Sequence, residues 1–147
     1  MARRNSVRAL LGGMLVLVTA LVAACAGGGS AERIDVKADE FSFEPAVVTV
    51  RAGTEYRLVL QNTGAVLHDW TIERIAATAV AGTETARHDM GGMNRMVGSG
   101  DRLHVAAAAG KATELTFTPT EPGEYEYACT VPGHADLGMR GRLVVQG

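Results

Sequence analysis

Tyr125-Glu-Tyr-Ala-Cys129-Thr-Val-Pro-Gly-His134-Ala-Asp-Leu-Gly-Met139-Arg-Gly141 carries the most information in this chain. Tyr125, Tyr127 and Cys129 recur at a period of two, so they share one face of a strand. That strand runs out at Cys129, and Pro132, Gly133 and Gly138 permit tight bends beyond it. A loop of this kind can fold a thiolate, an imidazole and a thioether back onto one point. A lone cysteine is usually a small buried hydrophobe, a lone histidine a core or surface residue, and a methionine core filler. The three in register with the glycines and the proline call for a joint explanation.

Soft sulfur donors with imidazole suit copper. Two histidines and a cysteine in a plane, with a weak axial methionine, form the blue-copper arrangement. The segment supplies Cys129, His134 and Met139, and a second histidine must come from another strand. His68 is the best candidate, because Leu67 to Glu73 alternates and places His68, Trp70 and Ile72 on one face. His104 is the alternative ligand. Trp70 reads as core packing rather than an electron relay.

Working outward, the chain reads as β throughout from Arg33. Val47 to Val50 is β-branched, Glu55 to Gln61 alternates, and Asn62-Thr63-Gly64 is a turn. Leu103 to Ala106, Thr113 to Thr118 and Arg142 to Gln146 are further strands, with a turn cluster at Pro119 to Gly123. Short strands between turn signals predict an all-β, Greek-key β-sandwich. Residues from Ala76 to Gly100 break the pattern and read as one long inserted loop, with room for a short helix near Ile75 to Val80. Within that loop, His88, Met90, Met93 and Met96 form a second set of soft donors. They suit a weak second copper site; the blander alternative is a loop that packs or meets a partner through flexible methionines.

The segment 125–141 resembles the copper loop of the cupredoxins, the family of plastocyanin and azurin, and its spacing is most similar to that of auracyanin or rusticyanin. Val66-Leu-His68-Asp-Trp70 resembles the strand that brings the family's first histidine. The resemblance covers residues 33 to 147. It implies one type 1 copper held by His68, Cys129, His134 and Met139, and single-electron transfer to redox partners in transient contact at an apolar patch around His134. One departure stands out: family members often have Asn directly after the first histidine, and here it is Asp69. A carboxylate supporting the site would favour the oxidised metal.

The 147 residues suit one such domain. Arg3, Arg4 and Arg8 precede an uncharged apolar stretch, Ala9 to Ala24, with the layout of an export signal. It is short for a membrane span, which needs about 20 apolar residues. Its end, Leu21-Val22-Ala23-Ala24-Cys25, resembles a bacterial lipobox, which implies cleavage after residue 24 and lipidation of Cys25. Residues 25–32, including Ala26-Gly-Gly-Gly-Ser30, form a flexible tether. The expected location is periplasmic, or at the outer face of the cytoplasmic membrane through that anchor. A Cys25–Cys129 disulfide is the competing structural role for the two cysteines.

Loss of Arg3, Arg4 and Arg8 takes the formal charge from −2 to −5, against nucleic acid as a partner. A monomer is expected. Multicopper oxidases and nitrite reductases resemble several such domains joined, and a binuclear copper centre needs two nearby cysteines, so no enzyme activity is expected. Copper delivery or storage is the alternative to electron transport.

Overall fold

A computed structural model describes residues 30–83 and 101–147. The signal segment, Cys25 and the cluster His88, Met90, Met93 and Met96 lie outside them. Ten strands run through the described residues: β1 (Glu32–Asp39), β2 (Ser42–Glu44), β3 (Val47–Arg51), β4 (Tyr56–Asn62), β5 (His68–Ile72), β6 (Ala77–Thr83), β7 (Leu103–Ala107), β8 (Ala112–Pro119), β9 (Gly123–Ala128) and β10 (Arg140–Gln146). They form two five-stranded sheets, ordered β2-β1-β4-β8-β6 and β3-β10-β9-β5-β7. The all-β sandwich read from the alternating segments is the observed architecture.

Two parallel pairings distinguish it from a plain meander. β1 runs parallel to β4, with Ile34 beside Leu58 and Val36 beside Leu60. β3 runs parallel to β10, with Val48 beside Leu143 and Val50 beside Val145. Each sheet therefore gains an early strand next to one from much later in the chain. The inward residues of both sheets meet in a single core, where Trp70, Tyr127, Phe117, Leu58, Leu60, Leu115 and Leu143 are fully buried. Each such side chain contributes about 1.5–3 kcal/mol relative to exposure. Trp70 lies against Tyr127 and Phe117 at ring-centroid distances of 5.3 and 6.2 Å. Its expected place in the core is the observed one.

Part of the expected long loop is a strand. Ala77–Thr83 is β6, paired antiparallel with β8 through a register shift between Ala79 and Ala81. No helix forms near Ile75 to Val80; Ile75 is buried and its N–H donates to Asp101 O at 2.7 Å. The run Ala-Thr-Ala-Val-Ala-Gly-Thr has too little apolar bulk to alternate visibly, and its alanines favour helix when read locally. Pairing with β8 at the sheet edge overrides that preference.

Candidate metal centre

The end of the sandwich where β5 begins and β9 ends gathers three donors. His68 opens β5, Cys129 follows β9, and His134 lies in the loop from β9 to β10. Cys129 Sγ is 3.9 Å from His68 Nδ1 and 3.6 Å from His134 Nδ1. The donor atoms of the three residues all lie within 4.8 Å of one another. Bonds of about 2.0–2.3 Å in a trigonal plane would separate two donors by about 3.7 Å, so the set fits a single metal ion. Both rings present Nδ1, which leaves the proton on Nε2 in each when Nδ1 is a ligand.

The loop is closed by its own backbone. Cys129 N–H donates to Met139 O at 3.1 Å, Met139 N–H to His134 O at 3.0 Å, and His134 N–H to Val131 O at 3.1 Å. Gly133 and Gly138 turn it with φ of 82° and 103°, values that a Cβ disfavours. Met139 is thereby brought back beside Cys129, fully buried. Leu137 is exposed at the tip, and Phe41, from the turn between β1 and β2, places its ring edge-on to His134 at 5.3 Å and 80°. Phe41 and Leu137, both exposed, are the apolar neighbours of His134, Leu137 donating its N–H to His134 O at 3.2 Å.

Burial, and then the neighbouring His134, push the His68 pKa down. Burial pushes the Cys129 thiol up. Without a metal the centre would therefore offer a neutral imidazole and a protonated thiol at neutral pH, and metal uptake would expel the thiol proton.

Asp69 follows His68 and points to the other side of β5, as strand alternation dictates, yet it is buried. All five residues of β5 are buried, so on this inner strand alternation does not sort core from solvent. The Asp69 carboxyl accepts three hydrogen bonds: Oδ1 from Thr130 N–H at 2.9 Å and from Thr71 Oγ1 at 2.9 Å, and Oδ2 from Thr130 Oγ1 at 2.8 Å. It thus fixes the residue directly after Cys129. His104 is not part of the donor group; its Nδ1 meets Thr71 Oγ1 at 2.8 Å.

The model of copper-binding proteins of the plastocyanin/azurin family matches residues 31–146. The chain belongs to that family. Among its relatives, auracyanin-A of Chloroflexus aurantiacus is 31% identical over 160 residues, spanning 95% of this chain and 98% of that protein. The copper-resistant cuproprotein CopI of Rubrivivax gelatinosus is 34% identical over 112 residues, 76% of this chain and 64% of that protein. Among solved structures, reduced auracyanin of Roseiflexus castenholzii superposes with a TM-score of 0.60 at 20% identity, over 81% of this chain and 100% of that one. That likeness concerns the cupredoxin fold.

Glu40 and Phe41 are the residues that sequence reasoning missed. Neither belongs to a motif, and each reaches the centre only because the turn between β1 and β2 packs against it. No local signal in the sequence points to either of them.

Proposed function

We propose that this chain is a type 1 copper protein carrying single electrons between redox partners outside the cytoplasmic membrane. The observation that carries the reading is the convergence of His68 Nδ1, Cys129 Sγ and His134 Nδ1, with Met139 buried under the same loop. Copper, when bound, would supply the one-electron Cu(II)/Cu(I) couple. Cys129 would hold it as a thiolate with His68 and His134, and Met139 would add a weaker thioether donor. The packed strands and the self-bonded loop hold these side chains in one arrangement, so little has to move when the charge changes. His134, beside the exposed Phe41 and Leu137, is the proposed point of electron entry and exit, where a small apolar rim suits brief encounters. Nothing in this scheme turns over a substrate.

The deciding experiment is an optical and EPR spectrum of the copper-loaded domain without its first 24 residues. An intense, persistent thiolate charge-transfer band supports the reading. A colourless protein that retains mainly Cu(I) overturns it in favour of copper delivery or storage. That second reading has its own support in the CopI relatives, whose names record copper resistance.

Two expected outcomes belong here. His68→Ala bleaches the copper protein and lowers its melting temperature relative to the loaded wild type, whereas His104→Ala stays coloured. The reverse pattern in absorption spectra would displace His68 from the ligand set. For the anchor, Cys25→Ala abolishes palmitate incorporation in producing cells; equal label in mutant and wild type would refute lipidation at Cys25.

A further inference from the structure

The turn between β1 and β2 closes over the histidine end of the site. Asp39 Oδ1 accepts from Glu40 N–H at 2.9 Å. Phe41 takes a φ of 63°, a left-handed conformation uncommon for a residue with a bulky side chain. Glu40 Oε1 accepts the backbone N–H of Ala65. Thr63 N–H, from the turn that leads into β5, donates to Ala38 O at 2.8 Å, so the two turns are tied together.

Where they meet, the packing is tight around a glycine. A Cβ placed on Gly64 would sit 2.7 Å from His68 Nε2 and 2.8 Å from Glu40 Oε1. The ring nitrogen and the carboxylate oxygen thus both crowd the point where a side chain at residue 64 would begin, and only a glycine leaves room for them there. His68 Nε2 is buried and has no hydrogen-bond partner among the described residues. With Nδ1 on a metal, Nε2 must carry the ring proton. A metal-bound histidine almost always donates that proton to a carboxylate, a carbonyl or a water.

We propose that Glu40 is a positioning residue for His68: its carboxylate, set beside Nε2 at Gly64, attracts the Nε2–H, holding the ring and favouring the oxidised metal. The inference rests on the type 1 copper reading above. Hydrogen bonding with the Asp39 side chain first, and with Ala65 N–H next, holds the Glu40 carboxyl down at about 2, so it is charged wherever the protein is folded at ordinary pH. Burial lowers the His68 pKa, and of the carboxylates that oppose this, Glu40 acts most strongly, ahead of Asp39 and Asp69.

Glu40→Gln separates charge from shape, because an amide oxygen can still cap Ala65 N–H. Glu44→Gln, at an exposed β2 carboxylate, is the control for a change in net charge. In the copper-loaded protein, Glu40→Gln lowers the ratio of Cu(II) to Cu(I) affinity by about twofold to tenfold, read as a higher reduction potential, and Glu44→Gln does not. In the Cu(I) form, Glu40→Ala speeds exchange of the His68 Nε2 proton in NMR spectra. A purely structural role for Glu40 would lower the melting temperature of Glu40→Ala and leave the Glu40→Gln potential where Glu44→Gln puts it; that result overturns the inference while a blue wild type keeps the copper reading. A wild type without a thiolate band removes both.

Discussion

Cys129→Ser is expected to leave a folded protein that has lost the visible band of the copper form. The substitution is nearly isosteric at a fully buried position, and Cys129 N–H keeps its bond to Met139 O. The cost to the empty fold is therefore the burial of one hydroxyl, about 1–3 kcal/mol if it finds no partner. The cost to the metal is far larger. A serine hydroxyl is a hard donor that does not ionise near neutral pH, and charge transfer from a thiolate is lost with the sulfur. Removing a mere supporting partner of a ligand costs up to about 100-fold in metal affinity, so removing the thiolate should exceed that. Absorption and copper titration of the variant are the checks. An unchanged intense band would place the thiolate elsewhere and sink the proposed ligand set.

Asp69→Ala carries the largest expected effect on the empty protein. It strips an acceptor from Thr130 N–H, Thr130 Oγ1 and Thr71 Oγ1 at once. The hydroxyls can rotate, but the backbone N–H cannot, and an unsatisfied buried donor costs about 1–3 kcal/mol. A total of about 2–5 kcal/mol follows, or about 10–20 °C in melting temperature for a domain of this size. Asp69→Asn should behave differently. Its amide oxygen at the Oδ1 position can accept from Thr130 N–H and Thr71, while its NH₂ donates to the Thr130 hydroxyl. That variant keeps most of the stability and raises the reduction potential through the lost charge. Thermal unfolding of both apo variants tests the pair: equal melting temperatures for Asp69→Ala and wild type would show that Asp69 does not brace the loop.

Much of this was legible in the sequence, for physical reasons that differ by region. Glu55 to Gln61 and Thr113 to Thr118 lie in strands buried on one face, so side-chain periodicity reports them. The donor segment 129–139 is local, and its glycines announce bends that the φ angles of Gly133 and Gly138 bear out. β6 was not legible, because its run of small residues shows no apolar alternation and its place at the sheet edge depends on β8. The departure from Asn at Asp69 was visible, but its partner Thr130 is 61 positions away, and no local pattern links them. Glu40 is the same case in stronger form. A carboxylate in a hairpin turn looks like any solvated charge until the turn carrying Gly64 is seen against it.

The parallel pairings of β1 with β4 and of β3 with β10 also govern how the molecule comes together. Val47 must find Arg142, at the far end of the described chain, before the second sheet has its edge. Such remote contacts make loop closure the slow part of folding and place this topology among domains that fold in milliseconds to seconds. The donors inherit that order. Cys129 and His134 are neighbours in sequence, but His68 reaches them only once β5 lies beside β9, and β10 carries the return from Met139. Strand pairing alone is thus able to bring the donors together. Copper bound as proposed would enter a framework already built, and access at the His134 edge, rather than refolding of the chain, is expected to set the rate of loading.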